Sequence, residues 1–235
     1  MPDDTITLTI DGQDITVPAG TTYLEAAEEL GIDVPHICVH DGLTPPAVCR
    51  MCVVDVEGAR VLQASCVAQG RDGDKVQTRS PRVEQARRTI LEMLDSAVDL
   101  SEAPEIRDMM TEYEADRDRF ANGFKRREFE LKDDNPFYVR DYSQCVMCWR
   151  CVQACADDGQ YAFALNFGER GFSSHIATFE EKPMPDTTCV FCGLCVGVCP
   201  TGALKAKVEW GLEQGFDPDK IREITRRPRK HRSSE

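Results

Sequence analysis

The chain has 235 residues, of which 41% are hydrophobic and 29% charged, with a net charge of −13. That length allows one compact body or two small domains, and a body this acidic excludes a nucleic-acid-binding role, which needs a basic face. No apolar run approaches the roughly 18 residues that a membrane span requires, so no transmembrane segment is expected.

The charge is unevenly spread. Arg226 to Glu235 carry four Arg, one Lys and one Glu, a net +4 that leaves −17 on the other 225 residues. This end reads as a solvated tail or as a docking strip for an acidic partner. The opening Met1-Pro2-Asp3-Asp4 is acidic and lacks the apolar stretch of a signal peptide, so a cytoplasmic protein is expected. In that reducing compartment the 12 cysteines are expected as metal ligands rather than disulfides.

Along the chain, Thr5–Ile10 and Asp14–Val17 alternate apolar and polar residues around Asp11-Gly12, the pattern of a β-hairpin. Thr22-x-x-Glu25 is a capping box that opens a short helix through Leu30, closed by Gly31. A loop with Pro35, Gly42, Pro45 and Pro46 follows, then short strands at Met51–Val56, Val61–Ala64 and Lys75–Thr78. Hairpin, helix, cysteine loop and strands is the element order of a β-grasp ferredoxin domain. Ser80-Pro81 starts a helix with Ser as N-cap and Pro at the first helical position. Val83, Ala86, Ile90, Leu94 and Ala97 recur on it at helical spacing as one apolar stripe. Asp99 to Lys132 reads as a charged bridging helix plus loop, Asp133 to Trp210 as a second cysteine-bearing unit, and Asp217-Pro218 as the cap of a last short helix.

The expected fold class is α+β. A β-grasp plant-type [2Fe–2S] ferredoxin domain over 1–80 is followed by a helical linker over 81–132. A bacterial ferredoxin-like domain with two [4Fe–4S] clusters then spans 133–210, ahead of a C-terminal helix and basic tail over 211–235.

The cysteines fall into three fours with none left over. Cys38, Cys49, Cys52 and Cys66 have the form C-x10-C-x2-C-x13-C, the plant-type pattern of an early cysteine, a close pair and a distant fourth. Cys145, Cys148, Cys151 and Cys155 have the form C-x2-C-x2-C-x3-C, and Cys189, Cys192, Cys195 and Cys199 repeat it, followed by Pro200. A tight loop with a ligand every third residue wraps three corners of a cubane, and the fourth thiolate must come from elsewhere. In two-cluster ferredoxins it comes from the other motif. By that rule one [4Fe–4S] cluster sits on Cys145, Cys148, Cys151 and Cys199, and the other on Cys189, Cys192, Cys195 and Cys155. Zinc or a redox dithiol is the competing reading of a lone CxxC pair, but two runs of three cysteines with a fourth suit cubanes better.

His36 and His40 flank Cys38. With four cysteines already in place, they read as packing behind the ligands rather than as ligands. Trp149 lies between Cys148 and Cys151, where a small residue fits more easily. It reads as a shield for one cluster face or as ordinary packing. His175 and His231 have no cysteine neighbours. No GxSxG, HExxH or Gly-rich phosphate loop is present, so no catalytic residue is expected.

Around Val48-Cys49-Arg50-Met51-Cys52-Val53-Val54-Asp55-Val56-Glu57-Gly58 the sequence resembles an iron–sulfur N-terminal region shared by several oxidoreductases. It occurs in NAD-linked formate dehydrogenase large subunits, the small diaphorase subunit of bidirectional hydrogenases, iron-only hydrogenases and the large iron–sulfur subunit of complex I. The resemblance continues at Ala86-Arg87-Arg88-Thr89-Ile90-Leu91-Glu92, Asn135-Pro136-Phe137, Arg140-Asp141-Tyr142-Ser143-Gln144-Cys145 and Arg170-Gly171-Phe172, and the formate dehydrogenase branch looks nearest. That family usually carries a third [4Fe–4S] cluster on one His and three Cys. Ser96–Arg140 contains neither residue type, so that cluster is not expected here. Nor is the family's molybdenum or tungsten domain, since the sequence ends at Glu235.

The resemblance implies a non-catalytic electron-transfer subunit between a catalytic Mo/W subunit, or a hydrogenase subunit, and a flavin/NAD subunit. The diaphorase side of an NAD-linked hydrogenase and a free ferredoxin-like shuttle are the alternatives. The iron–sulfur subunit of succinate dehydrogenase is similar in length, but its first two cysteines are much closer together and one of its clusters lacks a fourth Cys.

Overall fold

The computed structural model describes residues 5–120 and 128–226. All of the basic tail except Arg226, and Met1–Asp4, lie outside those residues. Two compact units are present: Met1–Arg127 together with Val146–Trp149, and Glu128–Cys145 together with Arg150–Glu235.

The first unit is built on a five-stranded mixed sheet in the order β2-β1-β5-β3-β4. Its strands are β1 (Thr5–Ile10), β2 (Gln13–Pro18), β3 (Val53–Val56), β4 (Gln63–Ala64) and β5 (Lys75–Gln77). In the hairpin β1–β2, Ile10 pairs with Gln13. Asp11 and Gly12 both take positive φ, 47° and 83°, the backbone that a tight twisted hairpin needs and that Asp-Gly supplies. Asp11 then accepts from the Thr78 amide at 2.8 Å and the Thr78 hydroxyl at 2.5 Å, fastening the hairpin to the far end of β5.

Helix α1 (Tyr23–Glu29) opens on the expected reciprocal cap. The Glu25 amide donates to the Thr22 hydroxyl at 3.2 Å and the Thr22 amide donates to the Glu25 carboxylate at 2.7 Å. Its buried Leu24, Ala26 and Ala27 meet Leu8, Ile10, Val17, Val54, Val56 and Val76 from the sheet, with Cys52 and Cys66 in the same core. Strands β3 and β4 are shorter than the sequence suggests. Ala47 and Arg50 adopt left-handed φ of 55° and 60°, so the chain is still turning through the cysteine loop and becomes extended only at Val53.

Helix α2 (Pro81–Ala97) begins as expected, with the Ser80 hydroxyl accepting from the Val83 amide at 3.3 Å. Its buried face is not the expected stripe. Val83, Arg87, Leu91, Glu92 and Asp95 are buried, whereas Ile90, Leu94 and Ala97 are only half-buried. Hydrophobicity misses this face because charged side chains occupy it with partners: Arg119 pairs with Glu92 at 2.7 Å and Arg117 with Asp95 at 3.0 Å. Helix α3 (Pro104–Glu112) buries Ile106 and Met110 and completes a second core with Ile37, Cys38, Met51, Leu91, Val98, Leu100, Tyr113 and Cys148.

The second unit is held by two short antiparallel ladders. Strand β6 (Tyr138–Arg140) pairs with β9 (Leu204–Ala206), and β7 (Asn166–Gly168) with β8 (His175–Ala177). Helices α4 (Arg150–Cys155) and α5 (Leu194–Gly197) carry cysteines, and α6 (Lys207–Glu213) and α7 (Pro218–Ile224) close the unit. Helix α7 has the expected cap, with Asp217 accepting from the Lys220 amide at 2.8 Å.

Apolar content is thin here, and buried charge replaces part of it. Arg140 is wholly buried and pairs with Asp134, which also accepts from the Met184 amide at 2.9 Å and from Asn135 at 3.1 Å. Burial alone would raise the Asp134 carboxyl. The Met184 amide, Asn135 and Arg140 outweigh it and hold the carboxyl below its ordinary value of 3.8.

A group depressed in this way stabilises the fold fully above its ordinary pKa and loses that contribution as pH falls through the lower folded value. Asp134→Asn leaves Arg140 buried without its carboxylate, and we expect a loss of about 3 kcal/mol in denaturant unfolding of the second unit near neutral pH. The difference from wild type should shrink as the pH is lowered below about 4, where the wild-type carboxyl also protonates. A pH-independent difference would show that Asp134 does not act through its charge.

Candidate functional site

Burying a thiolate requires donors around the sulfur. In the first unit, Cys38, Cys49, Cys52 and Cys66 are brought together in two hydrogen-bonded pairs, Cys38 with Cys49 and Cys66 with Cys52. The bond from Cys38 draws Cys49 down to about 5 against the opposing effect of burial, helped by the amides of Ile37, Met51 and Cys38. The bond from Cys66 draws Cys52 down to about 6. The donor thiols Cys38 and Cys66 are pushed up, first by those same bonds and then by burial. Cys66 also feels Cys38 and Cys49, so all four sulfurs share one neighbourhood. The Ser65 hydroxyl is fully buried beside Cys52, near enough to favour its anion yet with no formed hydrogen bond of its own. An orphan donor among four convergent thiols fits a sulfur-rich anionic group.

In the second unit the buried Cys195 thiol is raised to about 12, first by burial and then by Cys155, Cys189 and Cys192. Cys155, Cys189 and Cys192 thus lie within electrostatic reach of Cys195. Three polar groups, two of them amide donors, reach two of these sulfurs. The Ala164 amide lies 3.2 Å from the Cys155 sulfur, the Phe191 amide 3.3 Å from the Cys189 sulfur, and the buried Tyr138 hydroxyl 3.4 Å from that same sulfur. Cys145 and Cys151 both lie near the Tyr142 hydroxyl. Cys199 lies 3.7 Å from the Thr201 hydroxyl, which donates to the Gln144 carbonyl at 2.9 Å, next to Cys145. Cys148 sits on the loop Val146–Trp149, which belongs to the first unit.

The two x2 motifs share a backbone. Met147 and Phe191, each two residues past the first cysteine, have φ of 56° and 57°. Trp149 and Gly193, each four past it, have φ of 75° and 80°. Positive φ at alternate positions turns the backbone sharply through each motif. Glycine meets the left-handed requirement freely at 193, and Trp149 meets it with strain. None of the twelve cysteines is in a disulfide. Among the described residues, no three His, Cys, Asp or Glu side chains close on a single-ion site.

The histidines are accounted for by ordinary hydrogen bonds: His36 Nδ1 to the Val34 carbonyl at 2.9 Å, His40 Nδ1 to the Asp41 carbonyl at 2.7 Å, and His175 Nε2 to Glu181 at 2.9 Å. His231 lies outside the described residues.

Sequence reasoning missed the side chain that holds the first cysteine loop. Arg87 is 1% exposed. Its Nε donates to the Met51 carbonyl at 2.9 Å, one terminal nitrogen to the Val53 carbonyl at 3.0 Å, and the other to the Tyr113 hydroxyl at 3.0 Å. It thus grips the backbone on both sides of Cys52. Nothing in the periodicity flags it, because an arginine on an apolar stripe reads as surface.

Residues 3–81 match the family described as a 2Fe-2S iron-sulfur cluster binding domain, and residues 144–203 match that described as a 4Fe-4S dicluster domain. The chain is 38% identical over 208 residues to an NADH-quinone oxidoreductase subunit of Rhizobium meliloti (strain 1021), covering 85% of this chain and 24% of the relative. It is 37% identical over 235 residues to the NADP-reducing hydrogenase subunit HndD of Solidesulfovibrio fructosivorans, covering 92% of this chain and 39% of the relative. It therefore spans about a quarter to two-fifths of these relatives' length. A chain in a crystal structure of NAD+-reducing [NiFe]-hydrogenase in the H2-reduced state superposes with a TM-score of 0.74 at 28% identity, over 86% of this chain and 87% of that one.

Arg87→Leu removes three hydrogen bonds and strands two buried carbonyls, so a loss of about 3 kcal/mol is expected in urea unfolding of the first unit. Arg87→Lys should recover only part of it, because an ammonium lacks the planar fork that spans both carbonyls. Full recovery by Lys would show that charge alone matters at this position.

Proposed function

This chain belongs with the iron–sulfur subunits of NADH-quinone oxidoreductases and NAD-reducing hydrogenases, the complex I large iron–sulfur subunit family, and from that premise we propose that it is a non-catalytic electron-transfer subunit with three clusters. The [2Fe–2S] cluster is assigned to Cys38, Cys49, Cys52 and Cys66. One [4Fe–4S] cluster is assigned to Cys145, Cys148, Cys151 and Cys199, and the other to Cys189, Cys192, Cys195 and Cys155. Each cluster, when bound, accepts and releases one electron.

The observation that carries the reading is the grouping of the thiols. The two Cys pairs of the first unit suit two irons that each take two thiolates, and the neighbourhood of Cys195 supports the crossed ligand set. The mixed sheet with α1 packed on it supports a β-grasp reading of 1–80, with a linker over 81–132 and a dicluster domain over 133–210.

The flow of electrons runs between a catalytic subunit and a flavin/NAD subunit. Formate dehydrogenase as the catalytic partner rests on the sequence resemblance. A hydrogenase partner is supported by the HndD relative and by the hydrogenase chain that this one matches over 87% of its length. No helix among the described residues is long and apolar enough to cross a membrane, and the cytoplasm is assigned because thiols kept for metal need a reducing compartment.

Anaerobically purified protein should hold about ten iron and ten sulfide per chain; zinc with little iron would sink the reading. Turnover of the co-purified complex with formate and with hydrogen distinguishes the two catalytic partners.

The crossing of ligands is tested separately. Cys199→Ala should damage the resonance signal of the cluster held by Cys145, Cys148 and Cys151. Loss of the Cys189 cluster instead would refute the crossed assignment.

A further inference from the structure

Four large apolar side chains stand in solvent around one cysteine of the second unit. Tyr161 is 68% exposed, Phe163 57%, Val190 58% and Leu194 43%, and Cys192 is exposed among them. The two segments that carry them adjoin. The Thr188 hydroxyl donates to the Ala162 carbonyl at 2.5 Å, a Cβ at Gly159 would lie 3.2 Å from Leu194, and the Tyr161 and Phe163 rings meet edge-on at 6.1 Å. Single exposed apolar residues need no explanation, whereas a cluster of them on adjoining segments marks an interaction site.

The backbone adds a second observation. Tyr161 and Phe163 have φ of 53° and 50°, a region that bulky residues rarely enter. Both rings are therefore held outward at a conformational cost, and strain of this kind gathers at working surfaces.

Charge narrows the occupant. Residues 151–169 and 183–204 contain no Lys or Arg but do contain Asp157, Asp158, Glu169 and Asp186. The two segments that carry the apolar side chains thus bring acidic residues and no basic ones, an acidic frame in sequence. It repels anionic lipid and nucleic acid, and a second copy of a chain with net charge −13.

We propose that this face, Tyr161, Phe163, Val190 and Leu194 around Cys192, is the docking surface for a redox-active protein subunit that presents an apolar patch framed by Lys and Arg. The inference rests on the electron-relay reading. With Cys192 at the surface, the group it holds comes into direct reach of the partner's centre. Aromatic anchors exclude water at the contact, and the acidic frame steers a basic partner.

The test uses the complex co-purified anaerobically through this chain, its subunits identified by mass spectrometry, with amide exchange compared against the isolated iron-loaded chain. Residues 159–163 and 188–194 should gain protection in the complex, and cross-links from this face should reach Lys- or Arg-rich peptides of the subunit that carries a flavin or metal cofactor. Tyr161→Ser/Phe163→Ser should leave iron content and dithionite reduction unchanged while weakening association with that subunit at least tenfold. Asp157→Lys/Asp186→Lys should slow association and flatten its salt dependence. Unprotected segments in an intact, reducible complex would overturn the docking surface and leave the relay standing, whereas a chain without reducible clusters would overturn the relay itself. Protection already present in the isolated chain also overturns the proposal, whether lost on truncation after Arg226 or dependent on protein concentration. The first would assign the face to the basic tail and the second to another copy.

Discussion

Sulfur that carries negative charge inside a protein must be met by donors, and most of this chain's local structure answers to that demand. Strand β3 begins only at Val53 because the preceding residues are turned so that the amides of Val48, Cys49 and Met51 face Cys38 and Cys49. The same demand produces left-handed residues at matching places in both x2 motifs, with Ala164 and Tyr138 reaching sulfurs from outside the turns. Regular structure is short there, since a backbone committed to sulfur is not free for ladders or long helices.

Buried cations are the counterpart of that negative charge. Arg87 bonds to two carbonyls and a phenol, and Arg140 and Lys207 are buried in the second unit with carboxylate partners. Arg87 differs in that its described hydrogen-bond partners are all neutral. A guanidinium in that setting is costly alone and more readily tolerated beside an anionic neighbour. Its position against the Cys49–Cys52 loop is therefore electrostatically consistent with four thiolates, as well as mechanically useful.

Much of this was legible in the sequence, for identifiable reasons. The Asp11-Gly12 turn, the Thr22/Glu25 box, the Ser80-Pro81 start and the Asp217-Pro218 cap are local devices whose chemistry lies within a few residues, and each stands where the sequence put it. Cysteine spacing offered candidate ligand sets in the same direct way, because ligand geometry restricts how far apart sulfurs stand along a loop. The buried face of α2 was not legible: Arg87, Glu92 and Asp95 are inside only because partners 22 to 36 residues away neutralise or bond them. The ladders β6–β9 and β7–β8 were missed as well, since three-residue strands leave no period to read.

The pairing of β6 with β9 has a consequence for how the protein is made. The Thr201 hydroxyl reaches the Gln144 carbonyl across 57 positions of chain, and the ladder beside it joins Tyr138 to Ala206. Closing a loop of that size costs on the order of 4 kcal/mol in chain entropy, and the contact cannot form until Leu204 to Ala206 have left the ribosome. The five-stranded unit draws its strands from residues 5 to 77 and has no such wait. During synthesis the chain therefore passes through a stage with the five-stranded sheet closed and the later cysteines still open. At that stage the second unit's thiols are most available to iron delivery, and also to oxygen and stray metal. Protection from oxygen and from stray metal therefore matters most while residues 138 to 206 are still being joined.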